Sequence, residues 1–257
     1  MSHKAGYVNI IGRPNVGKST LMNQLVGEKI SIITSKAQTT RHRILGIVNG
    51  DDFQIVFSDT PGIIKDPAYK MHEVMNQFVN VALIDADLIL FVVDITDKKI
   101  EEKTVERLKT TEIPVFVLIN KIDLSNQEQV EQAVEQWRET LPNATVFPLS
   151  AQYGANVEFI FKQILEKLPE CPPYFPKDEL TDRSMRFFIT EIIREKILLN
   201  YQQEIKQNAN AKAIAIEGTA GDATPANAPA KKPEPAQPQT PAEKPLGAAE
   251  ERPLFMQ

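Results

Sequence analysis

Cysteine, histidine and long apolar runs are scarce in this sequence of 257 residues. It has one cysteine, Cys171, and three histidines, so it can form no internal disulfide and cannot supply a zinc site of the Cys/His type. The apolar run at residues 88–93 is far shorter than the about twenty residues that a membrane helix requires, and no secretory signal pattern follows Met1. These absences predict a protein of a reducing compartment, the cytoplasm.

Positive charge is not in excess either. A formal net charge of -5 excludes a surface that coats nucleic acid through charge alone, so any RNA contact should be local. The hydrophobic share of 42% and the charged share of 25% are those of ordinary globular proteins, and they exclude collagen, a coiled coil and wholesale disorder.

Residues 206–257 hold only six large apolar residues, too few for a folded domain. This segment holds eight prolines and thirteen alanines. Ordering it would cost about 1–2 kcal/mol per residue, which so little apolar surface cannot offset. We expect a low-complexity, Pro/Ala-rich disordered tail, with a partner-binding proline-rich segment as the alternative.

Upstream of the tail, apolar strand-like runs alternate with helical patterns. Six runs predict strands, at residues 7–11, 43–48, 53–57, 88–93, 115–119 and 145–149. Alternation of this kind predicts a doubly wound, mostly parallel sheet. The short turn cluster Asn49–Asp52 predicts a hairpin and therefore one antiparallel edge strand. We expect a six-stranded α/β domain over residues 1–168.

Helix-spaced apolar residues between these strands predict faces that pack on the sheet. Three stripes have this spacing: Met71, Val74, Met75, Phe78 and Ala82; Val130, Val134, Trp137 and Leu141; Val157, Ile160, Phe161, Ile164 and Leu168. Core packing accounts for these residues without any cofactor.

A phosphate-binding motif follows the first predicted strand and opens a helical stretch. It fits the P-loop pattern G-x-x-x-x-G-K-[ST] with Gly12, Arg13, Pro14, Asn15, Val16, Gly17, Lys18 and Ser19. Phosphates require such a loop because backbone N–H groups converge on an anion at a helix N-terminus and glycine allows a close approach. We expect Lys18 to reach the β- and γ-phosphates and Ser19 to bind Mg²⁺. The fold is thus predicted to be that of a P-loop NTPase.

A second motif comes at the end of the third predicted strand. It consists of Asp59, Thr60, Pro61 and Gly62, at the carboxyl edge where doubly wound domains bind ligands. Asp59 is expected to help hold Mg²⁺ through water. The Gly62 N–H is expected to contact a γ-phosphate and to lose it after hydrolysis, as a switch does. Alone, these residues would predict a plain turn, but their position after the P-loop favours the nucleotide.

Two further motifs at the same edge predict recognition of guanine. Asn120, Lys121, Ile122 and Asp123 follow the fifth run, and Ser150 and Ala151 follow the sixth. The Asp123 carboxylate can accept two hydrogen bonds from guanine, whereas adenine offers no such donor pair. We expect Asn120 to brace the neighbouring loops, Lys121 to lie along the base and the Ala151 N–H to meet guanine O6. The nucleotide is therefore predicted to be GTP or GDP; a P-loop ATPase stays the alternative if Asp123 does not lie at the base.

The four motifs in this order, with Q-T-T-R-H-R at residues 38–43, resemble the Era family of bacterial ribosome-assembly GTPases, in the TrmE-Era-like class of translation GTPases. The resemblance covers about residues 6–205. It implies that the T-T-R segment is the first switch and that one threonine binds Mg²⁺ and the γ-phosphate. We favour Thr40 over Thr39, since neighbours in an extended segment point opposite ways. Residues 31–43 and 59–72 should then change order between the GTP and GDP states.

The resemblance also exposes a difference from many GTPases. Ile63 follows Gly62 at the position where they carry a water-orienting glutamine, and isoleucine cannot hydrogen-bond the attacking water. In relatives without that glutamine, a P-loop asparagine similar to Asn15 helps to hold K⁺, which supplies positive charge. The resemblance thus implies K⁺ as a second cofactor and slow intrinsic hydrolysis.

Downstream, only the start of an RNA-binding KH domain can be recognised. After the proline-rich segment 169–176, residues 180–184 and a helix through residues 187–196 resemble the connector and first KH helix, and the match stops at about Ile205. The formal G-x-x-G match at residues 218–221 lies in the tail and has no helix pattern after it. We therefore expect an incomplete KH-like segment over residues 169–205.

The predicted KH helix has an apolar band that a sheet would normally cover. The band consists of Met185, Phe188, Ile189, Ile192, Ile193, Ile197 and Leu199. We expect it to be exposed, to pack on the GTPase body or to drive self-association.

The resemblance implies a switch that binds and hydrolyses GTP in the maturation of 16S rRNA and the small ribosomal subunit. It also implies peripheral contact with the inner membrane. The alternative is a nucleotide-binding module whose RNA binding is impaired or lost.

Overall fold

The computed structural model describes residues 3–34, 36, 39–63, 70–97 and 101–200, and its central element is a single sheet. The strands are β1 (Lys4–Ile11), β2 (Ile44–Asn49), β3 (Phe53–Asp59), β4 (Leu88–Asp94), β5 (Val115–Asn120) and β6 (Ala144–Pro148). The helices are α1 (Lys18–Val26), α2 (Lys70–Ile84), α3 (Glu102–Thr110), α4 (Gln127–Thr140) and α5 (Val157–Lys167), with a short 3-10 helix at Ile122–Leu124. A further helix, α6, begins at residue 185, and its described part ends at residue 200.

The strand order is β2-β3-β1-β4-β5-β6. All pairs are parallel except β2 with β3, which form an antiparallel hairpin at one edge. The six-stranded, mostly parallel sheet with one antiparallel edge strand is thus confirmed. Strand β1 starts three residues before its predicted start because Lys4 pairs with Phe53 and its ammonium donates to the Leu165 and Glu166 carbonyls. Those partners are distant in sequence, so the apolar pattern did not reveal them.

Each face of the sheet is covered by its own set of helices. On one face, α1 and α5 pack on strand residues such as Ile10 and Phe57. On the other, α2 and α3 contribute buried residues and α4 half-buried ones, packed on residues such as Phe91 and Val117. This double layer leaves the carboxyl edge of the parallel strands open for a ligand.

The predicted helix stripes are confirmed for α5, whose Val157, Ile160 and Ile164 are buried, but the α2 stripe is partly wrong. Met71 and Val74 are 40% and 46% exposed, whereas Met75 and Ala82 are buried. The α2 face toward the sheet is the row His72, Met75, Val79 and Ala82. The apolar pattern made the stripe too wide because it could not distinguish the sheet-facing row from the solvent side.

The segment between α5 and α6 is attached to the sheet by hydrogen bonds of backbone and side chains. The Ile47 N–H donates to the Leu180 carbonyl at 2.8 Å, and the Thr181 hydroxyl donates to the Leu45 carbonyl at 2.7 Å. The buried Gln54 side chain binds the backbone of Tyr174 and Phe175. The bonds of Leu180 and Thr181 fix the connector along the outer side of β2, and those of Gln54 tie it to β3.

Helix α6 exposes its apolar band rather than packing it on the sheet domain. Six members are at least half exposed: Met185, Ile189, Ile192, Ile193, Ile197 and Leu199. The side turned toward the sheet domain instead carries two buried carboxylates, Glu191 and Glu195. None of the described helices is long and apolar enough to span a membrane. The predicted tail at residues 206–257, with its formal G-x-x-G match, lies outside the described residues.

Candidate nucleotide-binding site

The four sequence motifs meet at the carboxyl edge of the sheet around two adjoining cavities. The larger, about 420 Å³, is lined by the phosphate loop, residues 32–34 and 39–40, Gly62 and Lys121. The smaller, about 210 Å³, is lined by Asn120, Asp123 and Ala151 among others. Gly17 and Lys121 line both cavities.

The phosphate loop connects β1 to α1 and needs both of its glycines. Gly12 and Gly17 have φ angles of 146° and 98°, which favour glycine strongly. A Cβ on Gly12 would lie 2.3 Å from the Val92 carbonyl oxygen, and one on Gly17 would lie 2.2 Å from the Asn120 amide nitrogen. The sequence pattern is therefore required by the backbone path and by the neighbouring strands.

The other loop residues divide between core and cavity. Pro14 and Asn15 line the larger cavity, and Asn15 has a left-handed φ of 64°. Val16 is part of the core beneath the loop. Arg13 is turned away and pairs with Asp97.

Lys18 begins α1 and is 6% exposed. Its ammonium donates to the carbonyls of Gly12 at 3.0 Å and Arg13 at 2.8 Å, which holds the side chain across the loop. Burial lowers the pKa of Lys18 to about 8, and the nearby Asp59 carboxylate opposes that shift. A phosphate bound here would favour the charged form.

A cluster of hard oxygens lies beside Lys18. The Ser19 hydroxyl donates to the Asp59 carboxylate at 2.7 Å and lies 3.0 Å from the Thr40 hydroxyl, which lies 3.4 Å from the same carboxylate oxygen. Asp59 is fully buried, and its Oδ1 accepts no hydrogen bond from any described residue. Burial raises the pKa of Asp59, while Lys18 and the hydroxyls of Ser19, Ser31 and Thr40 oppose the shift. Two hydroxyls and a carboxylate with a vacant buried oxygen are a donor set that fits Mg²⁺.

Only one of the two candidate switch threonines faces this cluster. The Thr39 hydroxyl instead lies 2.6 Å from the Thr34 hydroxyl and donates to the Lys36 carbonyl at 2.7 Å. Gln38, also part of the quoted segment, lies outside the described residues. Neighbouring threonines thus point opposite ways, and Thr40 is the one at the oxygen cluster.

The second motif folds against the phosphate loop. The Thr60 hydroxyl donates to the Ile10 carbonyl at 2.7 Å, Pro61 is buried, and the Ile63 N–H donates to the Gly12 carbonyl at 3.2 Å. A Cβ on Gly62 would lie 2.7 Å from the Pro14 backbone. The Ile63 side chain packs on the apolar core on one face of the sheet. The remainder of the predicted second switch, residues 64–69, lies outside the described residues.

The base motif is held together by Asn120, which is buried at the end of β5. Its amide donates to the Val16 carbonyl at 2.8 Å, and its Oδ1 accepts the Ala151 N–H at 2.9 Å. The Ala151 N–H, expected to meet guanine O6, is thus bound to Asn120 in this structure. The Ser150 hydroxyl donates to the Asp123 carboxylate at 2.5 Å, and the Ile122 N–H donates to the Leu149 carbonyl at 3.4 Å.

Sequence reasoning missed Asp94, at the end of β4. Its carboxylate pairs with the Lys121 ammonium at 2.5 Å. Burial opposes ionisation, but hydrogen bonds from Lys121 and Thr96 hold the pKa of Asp94 below its usual value. A carboxylate at the carboxyl end of a parallel strand was the available signal, as for Asp59. No recognised motif surrounds it, so it attracted no prediction.

Comparisons with known proteins agree with this geometry. Residues 7–121 match the family described as 50S ribosome-binding GTPase. GTPase Era of Alkaliphilus metalliredigens is 45% identical over 233 residues, with 85% of this chain and 78% of the relative covered. GTPase Era of Clostridium kluyveri is 43% identical, with 83% and 73% covered. The chain spans only about half of the longer chloroplastic GTPase ERA-like protein of rice, 52%, at 45% identity.

Two solved Era structures have similar folds. One is Era in complex with MgGDPNP and nucleotides 1506–1542 of 16S ribosomal RNA, with a TM-score of 0.72 and 42% identity, covering 76% of this chain and 67% of that one. The other is an Aquifex aeolicus Era variant bound to GDP and AlF4⁻, with a TM-score of 0.72, 41% identity and the same two coverages.

Proposed function

This chain belongs to the Era family of GTPases, and from that membership we propose that it is a GTP-operated switch in the maturation of the small ribosomal subunit. As a GTPase it converts GTP and water to GDP and phosphate. One observation carries the proposal for the site: the oxygens of Ser19, Thr40 and Asp59 meet within 3.4 Å beside Lys18, and Asp123 lines the adjoining cavity.

Phosphate binding is assigned to the loop from Gly12 to Ser19. Its backbone N–H groups at the start of α1 donate hydrogen bonds to the phosphate oxygens, and the Lys18 ammonium balances their charge. Lys18 already lies across the loop, held by two carbonyls. Exchanging those neutral acceptors for phosphate oxygens strengthens its hydrogen bonds, because the new partners are charged.

Mg²⁺ is the cofactor of this activity, and we assign Ser19, Thr40 and Asp59 to hold it. When bound, Mg²⁺ neutralises charge on the β- and γ-phosphate oxygens. Ser19 and Thr40 supply hydroxyl oxygens. Asp59 supplies negative charge, either directly or through water. Because Thr40 and Gly62 belong to different segments, their shared dependence on the γ-phosphate couples residues 31–43 to residues 59–72.

Guanine selection is assigned to Asp123 together with Asn120. The Asp123 carboxylate, oriented by the Ser150 hydroxyl, accepts the two N–H donors of guanine. Lys121 lies along the base and is held by Asp94. The predicted bond between the Ala151 N–H and guanine O6 stays part of the proposal; it requires that N–H to be shared with Asn120 or released by it.

The substitution Asp123→Asn tests the assignment of the base site. Loss of the carboxylate leaves guanine donors without their acceptor, so GTP affinity should fall by a factor on the order of 10² while xanthosine nucleotides gain. Competition binding with GTP, XTP and ATP measures the preference, and Glu128→Gln, an exposed carboxylate on α4, is the control. Unchanged GTP preference in the Asp123 variant would contradict the assignment and would favour the ATPase alternative.

The RNA partner comes from the solved relative that holds nucleotides 1506–1542 of 16S rRNA. We propose that this chain binds the same segment in its GTP state. Phosphate release and filter binding with that RNA, against a scrambled RNA of equal length, test the proposal. If GTP still binds but the cognate RNA changes neither binding nor turnover, the nucleotide-binding module with impaired RNA binding is the better description. Neither the comparisons nor the described residues favour that alternative now.

K⁺ dependence is proposed for the hydrolysis step. The apolar Ile63 side chain packs against the core and has no group that could hydrogen-bond the attacking water, while Asn15 lines the phosphate cavity with a left-handed backbone. We expect faster turnover in K⁺ than in Na⁺ at equal ionic strength. Asn15→Gly keeps the left-handed conformation and should remove the difference. Equal rates in both salts with the unmodified chain would rule this cofactor out.

A cytoplasmic location with peripheral contact at the inner membrane stays a prediction. Cell fractionation with salt washing tests it, since peripheral binding is released by salt.

A further inference from the structure

Helix α6 packs on the GTPase domain through a charged face. Glu191 and Glu195 are 6% and 4% exposed, although each lies on a helix whose apolar band is mostly open to solvent. Buried carboxylates are costly unless they are paired or hydrogen-bonded. Their partners therefore indicate what holds α6 in this position.

Glu195 binds the start of the first switch. Its Oε2 pairs with the Lys29 ammonium at 2.9 Å, and its Oε1 accepts the Ile33 N–H at 3.3 Å. Burial works against ionisation, yet these two partners hold the pKa of Glu195 below its usual value. Ile33 itself lines the phosphate cavity.

Glu191 acts on the end of the same switch through Arg194. Its carboxylate accepts two hydrogen bonds from the Arg194 guanidinium, one of them at 2.9 Å. The guanidinium then donates to the Thr39 carbonyl at 2.7 Å. Three residues after Thr39, the His42 ring makes an edge-to-face contact with Phe187 of α6, with centroids 6.1 Å apart.

The bond to the Thr39 carbonyl constrains the next residue directly. That carbonyl and the Thr40 nitrogen belong to one planar peptide group, so an anchor on the oxygen limits how Thr40 can rotate. Thr40 is the threonine whose hydroxyl lies 3.0 Å from Ser19 at the oxygen cluster. A helix outside residues 1–168 thus contacts both ends of the segment that carries a proposed magnesium ligand.

We infer that Arg194 and Glu195 are positioning residues for the GTPase reaction, which hold the first switch with Thr40 at the magnesium site. The inference rests on the proposed magnesium role of Thr40. By linkage, Mg²⁺-bound GTP and the docking of α6 favour each other to the same extent. Couplings of this kind change affinities by about 5- to 150-fold.

The test compares Arg194→Ala and Glu195→Gln with Arg186→Ala in the full chain. Arg186 is exposed on the same helix, and it is not one of the α6 residues whose side chains hydrogen-bond to the first switch. We expect both test variants to lower turnover and to raise the Mg²⁺ concentration for half-maximal GTP hydrolysis by about fivefold or more. GDP affinity without Mg²⁺ should change little, and Arg186→Ala should behave as the unmodified chain.

Parallel loss of GDP and GTP affinity, with a lower melting temperature, would mean a merely structural role and overturn the inference. Arg194→Lys, which retains one donor, guards against misfolding of the alanine variant and should recover part of the Mg²⁺ response. Thr40→Ala distinguishes failure of the proposed magnesium site from failure of the present inference. If this substitution leaves the Mg²⁺ dependence of GTP hydrolysis unchanged, the proposed role of Thr40 fails. If it shifts that dependence and the Arg194 and Glu195 variants do not, only the present inference fails.

Hydrogen exchange tests the reciprocal effect. Amides in residues 185–200 should exchange more slowly with Mg²⁺ and a non-hydrolysable GTP analogue than with GDP. Equal exchange in both states would contradict the coupling.

Discussion

Close contacts between motifs set the residue requirements of the site. Gly17 has no room for a side chain because the Asn120 amide occupies that space, and Gly62 has none because of the Pro14 backbone. Asn120 in turn bonds to Val16 and Ala151. Each motif therefore constrains another, so a change in one loop disturbs the geometry of its neighbours.

Gly62→Ala should impair the GTP state through the phosphate loop. The added Cβ would lie 2.7 Å from Pro14 backbone atoms, so the loop or the switch must move, at a cost of about 1–3 kcal/mol. We expect GTP affinity to fall by about tenfold, which corresponds to a free energy within that range. GDP affinity should fall less because GDP has no γ-phosphate. Titration of fluorescent GTP and GDP analogues measures both, and equal affinities to those of the unmodified chain would refute the steric argument.

Nucleotide affinity should depend on pH through Lys18. In the free protein this ammonium loses its proton near pH 8 because burial lowers its pKa, whereas bound phosphates favour the charged form. Binding therefore takes up a proton above about pH 8 and none well below it. The GDP affinity should fall by about tenfold between about pH 7 and pH 9. Calorimetry in buffers of different ionisation enthalpy detects the uptake, and a flat affinity profile over this range would be inconsistent with it.

At the scale of elements, the connector and α6 are integrated with the sheet domain rather than attached as a free linker. Gln54 on β3 binds the backbone of residues 174 and 175, and the Leu180 carbonyl accepts the Ile47 N–H of β2. Helix α6 contacts the first switch. These bonds join elements more than a hundred residues apart in sequence. They explain how a segment outside the nucleotide fold can influence it.

Gln54→Ala should loosen the connector and lower the stability of the domain. The buried amide of Gln54 donates to the Phe175 carbonyl at 2.8 Å and accepts the N–H groups of Tyr174 and Phe175 at 2.7 and 2.9 Å. Leaving such groups without partners costs about 1–3 kcal/mol. Urea unfolding should show a loss in that range, and the exposed Gln136→Ala on α4 should show almost none. A loss below about 0.5 kcal/mol would indicate that water or a rearranged connector replaces the amide.

At the scale of the whole molecule, the sequence was sufficient to predict the sheet and to place the four motifs at its carboxyl edge. Apolar runs of strand length, the Asn49–Asp52 turn and the P-loop are local patterns, and each predicts its own element. Contacts between distant segments could not be predicted in this way. Asp94 with Lys121, and Arg194 with Thr39, became visible only once the chain was folded. The charged face of α6 was missed because its apolar band dominated the helical pattern.

The hydrogen bonds that occupy the outer edge of β2 affect the behaviour of the protein at high concentration. An uncovered edge strand is a template on which further chains can add by backbone pairing, and such growth leads to domain swapping or fibrils. Here the outward N–H of Ile47 and the outward carbonyl of Leu45 are already occupied by Leu180 and Thr181. Residues 180 and 181 thus block backbone pairing with a second chain on that side of the sheet. They contribute to colloidal stability as well as to the fold.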